Sequence, residues 1–471
     1  MDTIAAIATA LGKSGIGIVR MSGDAALKIA DKIFVSSQGG RPSRFETHTL
    51  HYGWIVDKDQ RAEDRKQKRE KNLPSGNIID EVLLAVMRKP RSYTREDVVE
   101  INCHGGIVAL RKVLQLVLRC GARLAEPGEF TQRAFVSGRI DLIQAEAVLD
   151  VIQAKNDAAL RLAGRQLGGG ISREIGRIRE RVLSALAEME AAINFPDEDT
   201  GKVGRRRITD CLSFCLVRAE NLLSSAALGR VVREGVSLAI CGRPNVGKSS
   251  LLNALLKQER AIVTSCPGTT RDIIEETLDI RGLPVTIADT AGISAAKDDA
   301  GARAVERAHK YISGCDLVLF VLDASRKLSR GDISLIKQID GRPKIAALNK
   351  TDLLRKISRQ DIRPYFRRIT EVSALKHQGI EKLEREISRV VLDGKVLDGG
   401  QAMLTNIRHK QALEKGAGFV REALAALKEG FSEDLISQSL REAISCLDEI
   451  TGKNMNVDLL DDIFSRFCIG K

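Results

Sequence analysis

Gly242-Arg-Pro-Asn-Val-Gly247-Lys248-Ser249 lies near the middle of the chain, after the apolar run Val236 to Ile240 and before the stretch Ser250-Leu-Leu-Asn-Ala-Leu-Leu256. Glycines at both ends let backbone N–H groups turn inward around phosphate oxygens, while Lys248 adds positive charge and the Ser249 hydroxyl is a ligand for Mg²⁺. The apolar run predicts a buried parallel strand, and the stretch after the loop predicts a helix whose N-terminus receives phosphate. This order predicts a phosphate loop in an α/β domain.

A second motif, Asn349-Lys350-Thr351-Asp352, follows the strand-like run Lys344 to Leu348. A carboxylate at Asp352 accepts hydrogen bonds from N1–H and the exocyclic amine of guanine, whereas adenine presents an acceptor at N1. The motif therefore predicts that the site selects guanine and disfavours adenine.

Two further segments lie between these motifs and complete a GTPase pattern. Asp289-Thr290-Ala291-Gly292 follows the strand-like Val285 to Ala288, so that Asp289 is placed to hold the Mg²⁺ shell and the Gly292 N–H to contact the γ-phosphate. Pro267-Gly-Thr-Thr270-Arg-Asp272 offers Thr270 as the second hydroxyl ligand of Mg²⁺. The sequence predicts a GTP hydrolase that uses Mg²⁺.

Composition and charge narrow the class of protein. The 471 residues suffice for two or three domains, and the net charge of +12 suits a nucleic acid or another polyanionic partner. The opening Met1-Asp-Thr-Ile-Ala-Ala lacks the features of an export signal, and no apolar run approaches a membrane span, so a cytoplasmic protein without a membrane association is expected. The nine cysteines lack Cys-x-x-Cys spacing, which predicts neither a disulfide framework nor a zinc site.

The N-terminal part favours short β-runs, at Ile16 to Val19, Glu81 to Met87 and Val98 to Asn102, together with a helix at Gly106 to Leu118. This mixture predicts a small α+β domain. A highly charged insertion from Asp57 to Asn72 carries no large apolar residue to anchor it, and it predicts a solvated hairpin tip, with RNA binding as the alternative.

Helical periodicity begins after Gly138. Apolar residues that recur at three- and four-residue steps predict one long helix: Ile171, Ile175, Ile178, Val182, Ala185, Met189 and Ile193. A break at Phe195 to Asp199 and a basic turn at Gly201 to Arg207 are expected to follow. After a Gly-rich linker, Asp393 to Gly400, helical patterns return at Val420, Leu424 and Leu427 and at Leu440, Ile444 and Leu447.

We therefore expect a multidomain α+β and α/β protein. Its parts are an N-terminal α+β domain (residues 1–122), a first helical part (123–233), a Ras-like P-loop G domain (234–392) and a second helical part (393–471). Helices on both sides of the G domain indicate that it is inserted into one helical domain, with two hinges that would carry a GTP-driven motion outward.

Several segments together resemble the MnmE family, also called TrmE, of tRNA modification GTPases. The resemblance covers essentially the whole chain, and its most specific part is the C-terminal Phe-Cys-Ile-Gly-Lys. The segments are Asp2-Thr-Ile-Ala-Ala-Ile-Ala-Thr9, Gly15-Ile-Gly-Ile-Val-Arg20, His104-Gly-Gly106, Pro127-Gly-Glu-Phe130, Ile140-Asp-Leu-Ile-Gln-Ala-Glu146, Phe195-Pro-Asp-Glu198 and Phe464-Ser-Arg-Phe-Cys-Ile-Gly-Lys471.

The resemblance implies a role in modifying C5 of the wobble uridine in certain tRNAs, with a one-carbon unit donated by a reduced folate. It implies a homodimer that acts with the flavoprotein MnmG (GidA), as a heterotetramer, on tRNA. The N-terminal domain would dimerise and would also bind the folate. The positions that match the folate site of the family are Arg20, Glu100, Arg139 and Lys471. Glu100 suits the N–H edge of the pterin and the arginines suit glutamate carboxylates. Arg139 replaces the lysine more usual in the family.

The C-terminal tail is implied to approach the folate. Cys468 lies beside Phe464 and Phe467, and its thiolate would act there as a nucleophile or a general acid if its pKa were lowered. A passive tail cysteine is the alternative reading.

Potassium is the other cofactor that the resemblance implies. Asn245, Thr264, Cys266 and Thr269 match the positions that hold K⁺ beside the phosphates, where the ion would neutralise developing charge as an arginine finger does elsewhere. The full set of candidate nucleotide-binding residues is Asn245, Val246, Gly247, Lys248, Ser249, Ser250, Thr264, Ser265, Cys266, Pro267, Gly268, Thr269, Thr270, Asp289, Thr290, Ala291, Gly292, Asn349, Lys350, Thr351, Asp352, Ser373 and Ala374.

The chain departs from the family pattern after Gly292. Where the family usually carries an arginine and a glutamate that orients the attacking water, this sequence has Ser294 and Gly301. Two outcomes stay open: slow GTP hydrolysis, or a substitute acid. The candidate acids are Asp298, Asp299 and Glu306.

A ribosome-assembly or RNA-binding GTPase is the alternative function. Such proteins commonly append a KH domain with a Gly-x-x-Gly loop, or a second G domain. Neither pattern follows Gly400 in this sequence.

Overall fold

The computed structural model describes residues 2–58, 76–194, 201–258, 275–288, 314–392, 402–454 and 457–471. They form two compact units. One consists of Met1–Leu149 together with Thr451–Lys471, and the other of Asp150–Ile450.

Strands and helices are numbered here in chain order. The strands are β1 (Ile4–Ile7), β2 (Ser14–Ser22), β3 (Phe34–Ser36), β4 (Thr49–Asp57), β5 (Asn77–Met87), β6 (Val98–Gly105), β7 (Arg123–Leu124), β8 (Val236–Cys241), β9 (Glu275–Ile280), β10 (Leu283–Ala288), β11 (Leu317–Asp323), β12 (Lys344–Asn349) and β13 (Ile369–Glu371). The helices are α1 (Ala26–Ile33), α2 (Ile107–Arg119), α3 (Glu129–Val136), α4 (Leu142–Gln153), α5 (Asp157–Leu167), α6 (Gly170–Asn194), α7 (Gly201–Glu234), α8 (Lys248–Gln258), α9 (Arg330–Gln338), α10 (Arg359–Ile362), α11 (Ile380–Val391), α12 (Ile407–Glu429), α13 (Glu433–Thr451) and α14 (Val457–Ser465).

The first unit is built on a seven-stranded sheet with the order β3-β4-β5-β6-β2-β1-β7. All its neighbouring strands are antiparallel except β1 and β7. Alternate residues of the central strands, such as Leu84 and Ile101, point to one face and are buried with Ile29 of α1 and Val113 of α2. The apolar face of the sheet is therefore covered by two helices, as an α+β domain requires.

The C-terminal residues belong to this first unit. Phe464 and Phe467 are buried with Ala134 and Leu142 in one cluster. Gly128, the residue before α3, has φ +71, and a Cβ there would lie 2.7 Å from the Phe464 carbonyl oxygen. A glycine at this position lets α3 begin directly against the C-terminal tail.

Long helices form the first part of the second unit. In α6 the predicted apolar positions from Ile171 to Met189 are buried, and Ile193 is half-buried. α7 packs between α6 and α12. The basic turn expected at Gly201 to Arg207 is wrong, because α7 already begins at Gly201. Each glycine costs a helix only ~1 kcal/mol, and Lys202 and the three arginines that follow Gly204 are good helix formers.

One helix among the described residues has the length and composition to cross a membrane. It is the part of α7 from Gly204 to Glu234, and it is an exception to the expected absence of such a segment. Its buried residues Leu212, Cys215, Ala219 and Leu222 recur at helical spacing. Packing against α6 and α12 accounts for this apolar face.

The rest of the second unit is a six-stranded sheet with the order β13-β12-β11-β8-β10-β9. It is parallel except for the β9–β10 hairpin. All seven residues of β11 are buried. Helices α8 and α11 pack on one face, whereas α9 and α10 contribute Ile336 and Ile362 to the core on the other. This is the Ras-like P-loop architecture that the sequence predicts, and its loops meet at the carboxyl edge of the strands.

Candidate functional site

The predicted phosphate loop joins the end of β8 to the start of α8. Gly242, Asn245 and Gly247 all have positive φ, at +145°, +65° and +93°. A Cβ at Gly242 would lie 2.4 Å from the Val321 carbonyl oxygen, so this close approach of two backbones requires glycine. The loop ends at Lys248, the first residue of α8, and the N–H groups of that helix terminus face the loop.

The side chain of Lys248 is held by backbone carbonyl groups of the phosphate loop. Its Nζ donates to the carbonyl oxygens of Gly242 at 2.9 Å and Arg243 at 3.0 Å. The ammonium is thereby fixed within the loop, in a position suited to a phosphate group. Ser249 follows on the first turn of α8 with an exposed side chain, so its hydroxyl could hold Mg²⁺.

The second motif directly contacts the phosphate loop. Asn349, the last residue of β12, donates from Nδ2 to the Val246 carbonyl at 3.0 Å, and its Oδ1 accepts from the Ala374 N–H at 3.0 Å. Lys350 donates from Nζ to the Asn245 carbonyl at 2.7 Å. The two motifs, distant in sequence, thus form one hydrogen-bonded unit with Ala374.

Asp352 has an exposed carboxylate that is fixed by one hydrogen bond. The Ser373 hydroxyl donates to Asp352 Oδ1 at 2.5 Å, and this hydrogen bond lowers the pKa of the exposed Asp352 carboxyl. An ionised carboxylate whose first oxygen is fixed by Ser373 keeps acceptor capacity for the two N–H groups of guanine.

Several predicted residues lie outside the described part of the chain. They are Thr264, Ser265, Cys266, Pro267, Gly268, Thr269, Thr270, Asp289, Thr290, Ala291, Gly292, Asp298, Asp299, Gly301 and Glu306. The strands next to them are described: β9 begins at Glu275 and β10 ends at Ala288.

Arg20 and Glu100 form the centre of the candidate site in the first unit. They are direct neighbours in the register of β2 and β6, and Arg20 Nε donates to Glu100 Oε1 at 2.7 Å. Their side chains are 18% and 21% exposed, so the pair is largely shielded but reachable by solvent. A charge-assisted bond of this kind fixes both groups in a defined geometry.

The C-terminal tail lies against this pair. Arg20 Nη1 donates to the Gly470 carbonyl at 3.3 Å, and the Phe130 N–H donates to the Lys471 carbonyl at 3.2 Å. Gly470 has φ +95, and a Cβ there would lie 2.4 Å from the Ile7 carbonyl, so a larger residue could not follow this path. The tail is held between β1 and α3, while the side chain of Cys468 is exposed.

Arg139 reaches the same region through an aromatic ring. Its guanidinium carbon lies 4.7 Å from the ring centroid of Tyr93, and Tyr93 packs against the cluster that contains Phe130. Arg20 lies 5.7 Å from the Phe130 ring centroid. The two arginines therefore flank one apolar cluster, although no hydrogen bond among the described residues joins them.

One residue of the nucleotide site was missed by the sequence analysis. Asp323 ends β11, and its buried carboxylate accepts a hydrogen bond from Lys350 at 2.7 Å. The sequence does contain a signal, since Asp323 is an acidic residue at the end of an apolar strand run. The carboxyl ends of neighbouring parallel strands meet at one edge of the sheet, so an acidic residue at such an end lies close to the other site residues.

Comparisons with known proteins cover the whole chain. The model for the MnmE helical domain matches residues 142–468, and the model for the GTP-binding protein TrmE N-terminus matches residues 3–139. The tRNA modification GTPase MnmE of Thermoanaerobacter pseudethanolicus is 44% identical over 472 residues, which cover 100% of this chain and 99% of the relative. The protein of the same name from Clostridioides difficile is 44% identical over 472 residues, with the same coverage, and that of Bacillus subtilis is 42% identical over 474 residues, with both chains fully covered.

Identity of 42–44% over the full length, together with a phosphate loop joined to the Asn349–Asp352 motif, establishes the family of this chain. The chain belongs to the MnmE family of tRNA modification GTPases.

Proposed function

We propose that this GTPase uses K⁺ to hydrolyse GTP and acts with the flavoprotein MnmG to modify C5 of the wobble uridine in certain tRNAs, with a reduced folate as the one-carbon donor. The observation that carries the proposal is the C-terminal tail at the Arg20–Glu100 pair, because it brings a cysteine-bearing segment to a site suited to folate. The protein works in the cytoplasm as a homodimer and assembles with MnmG as a heterotetramer. Light scattering of the protein alone and after mixing with purified MnmG tests this assembly.

We also propose the four-part division of the chain, with residues 234–392 as a G domain inserted between two helical parts. The packing of α7 against α12 supports it, since these helices precede and follow the inserted segment. The helical domain would then receive the movement of the G domain at both junctions.

In the nucleotide site, Lys248 and the N–H groups of the phosphate loop bind phosphates, and Asp352 binds the guanine edge. Ser249 and Thr270 hold Mg²⁺, while Asn245, Thr264, Cys266 and Thr269 hold K⁺. The backbone carbonyl of Asn245 already accepts a hydrogen bond from Lys350, whereas its side chain is exposed. The side-chain amide oxygen is therefore the group of Asn245 that suits K⁺. When bound, K⁺ supplies positive charge beside the β- and γ-phosphates.

The potassium proposal predicts a cation-dependent effect of Asn245. GTP turnover should be at least about tenfold faster in K⁺ than in Na⁺, because one stabilising charge at the transition state contributes ~1.4 kcal/mol or more. Asn245→Gly removes the amide and keeps the positive φ without strain. This variant should hydrolyse GTP equally slowly in both salts.

Arg281→Gly is the matched control, since Arg281 also has positive φ, at +55, in the turn between β9 and β10. It should keep the full K⁺ stimulation. A K⁺ stimulation that survives in Asn245→Gly would contradict the assignment.

The residue that positions the attacking water is a separate proposal. We expect one of Asp298, Asp299 and Glu306 to replace the acid that is absent at Gly301. Alanine at that residue should lower GTP turnover by about 10²- to 10⁴-fold, the usual effect of losing a positioned general base. Asp340→Ala, which removes an exposed carboxylate paired with Lys344, is the control. Unchanged turnover in all three variants would reject a substitute acid.

In the first unit, Arg20, Glu100, Arg139 and Lys471 would bind the folate, with Glu100 at the pterin edge and the basic groups at its carboxylates. Replacing Glu100 with Gln should weaken binding of tetrahydrofolate about 10- to 100-fold, because a hydrogen bond to a charged group contributes ~1.5–3 kcal/mol. Isothermal titration calorimetry measures the change, and GTP turnover should stay as in the wild type.

Arg119→Lys is the control for this experiment, since Arg119 forms another arginine–carboxylate pair of the same unit, with Asp57. It should bind folate normally. Equal folate affinity of Glu100→Gln and wild type would remove Glu100 from the site.

A further inference from the structure

Asp323 carries a buried carboxylate whose two oxygens have different partners. Oδ1 accepts from the N–H and the hydroxyl of Ser325, at 2.9 and 2.7 Å. Oδ2 accepts from Lys350 Nζ at 2.7 Å, and Arg326 Nε lies farther away, at 3.8 Å. The Asp323 side chain is 4% exposed, so its bond to Lys350 is shielded from water.

Strand pairing explains why this contact forms. β11 and β12 are parallel neighbours, and their register places Asp323 opposite Asn349, the residue before Lys350. Lys350 itself has φ +63, which turns the chain away from the strand direction. Its ammonium therefore lies between the end of β11 and the phosphate loop.

Lys350 has a second acceptor in the phosphate loop. Its Nζ donates to the carbonyl oxygen of Asn245 at 2.7 Å, and Asn245 has φ +65. A left-handed conformation is unfavourable for a residue other than glycine and persists only where the surroundings hold it. The Lys350 hydrogen bond is one of the contacts that hold this residue in the loop.

Burial of Asp323 opposes its ionisation, but the hydrogen bonds from Lys350 and Ser325 outweigh this effect and lower its pKa. The carboxylate is therefore charged at neutral pH. It forms with Lys350 an ion pair in a region of low dielectric, where the attraction is stronger than at the surface.

We propose that Asp323 is a positioning residue of the nucleotide site, which holds Lys350 against the Asn245 carbonyl and thereby keeps the phosphate loop ready to bind GTP and GDP. Asp323 touches no nucleotide in this role. Its whole effect on affinity passes through Lys350.

The test measures GDP affinity of the full-length protein by titration with fluorescently labelled GDP. Asp323→Ala should bind GDP about 10- to 100-fold more weakly, the effect expected for losing a charge-assisted hydrogen bond. Asp323→Asn keeps the shape and an acceptor but loses the charge, and a smaller loss of about three- to tenfold is expected.

A double-mutant cycle with Lys350→Met separates positioning from simple structural support. In the Lys350→Met background, neither Asp323 substitution should weaken GDP binding further. Arg326→Ala is the control, since it removes the exposed and more distant cation beside the same carboxylate, and it should bind GDP as the wild type does.

Two results would overturn the proposal. One is an equal loss of affinity from the Asp323 substitution with and without Lys350, and the other is wild-type affinity in both Asp323 variants. If circular dichroism shows that Asp323→Ala does not fold, the double-mutant cycle with Asp323→Asn and Lys350→Met tests the proposal by itself.

Discussion

Replacing Gly247 with alanine is expected to lower the affinity for both GTP and GDP by about 30- to 3,000-fold. Gly247 has φ +93, and a Cβ there would lie 2.3 Å from Asn349 Nδ2. That nitrogen donates to the Val246 carbonyl, so the new methyl group would break the junction between the phosphate loop and the guanine-selecting motif. Overpacking costs ~1–3 kcal/mol, a left-handed φ adds ~1–2 kcal/mol, and each ~1.4 kcal/mol is a factor of ten in affinity.

The matched control is Gly341→Ala. Gly341 also has positive φ, at +80, but no atom lies within 4 Å of a Cβ built on it. This variant carries the conformational cost without the clash and should bind GDP normally. Titration calorimetry with GDP compares the two variants. Near-normal GDP affinity in Gly247→Ala would contradict the geometry of the junction.

Replacing Cys468 with serine is expected to abolish tRNA modification while GTP turnover stays within about twofold of wild type. Serine has nearly the same shape, so the tail should keep its contacts with Arg20 and Phe130. The hydroxyl is a far weaker acid and nucleophile than the thiol at neutral pH. Mass spectrometry of tRNA nucleosides measures the product, and phosphate release measures GTP turnover.

Cys446→Ser is the control for this variant. Cys446 is half-buried in α13, and burial raises the pKa of its thiol, so it is not expected to react. The Cys446→Ser protein should modify tRNA at the wild-type rate. Modification that persists in Cys468→Ser would make Cys468 a passive residue of the tail.

Local patterns were sufficient to predict many of the elements. The run Ile16 to Val19 lies within β2, Glu81 to Met87 within β5, and the predicted helix at Gly106 to Leu118 nearly coincides with α2. These predictions succeed because burial on one face imposes a period of two or of 3.6 residues on the sequence. The start of α7 was mispredicted because glycine and basic residues were interpreted as a turn.

Long-range contacts had no comparable signal. Nothing in the local sequence around Arg20 indicates that the Gly470 carbonyl lies 3.3 Å from its guanidinium. The phosphate loop was predicted from its glycines, but the Asp323–Lys350 bond depends on which strands are neighbours, and local sequence does not determine strand order. Local chemistry could be predicted from the residues, and the approach of the C-terminal tail to the region of Arg20 was implied by the family resemblance. The other partners supplied by distant segments, such as Asp323 for Lys350, could not be predicted.

Reconstitution of the modification tests the central claim most directly. The purified protein is mixed with MnmG, a reduced folate, GTP and K⁺, and the wobble uridine of an unmodified tRNA is analysed by mass spectrometry of nucleosides. We predict a C5-modified uridine that disappears when the folate is omitted or when GTP is replaced by a non-hydrolysable analogue, and that forms at least about tenfold more slowly when Na⁺ replaces K⁺. Formation of the same product at the same rate without folate, without GTP hydrolysis or in Na⁺ would contradict the account.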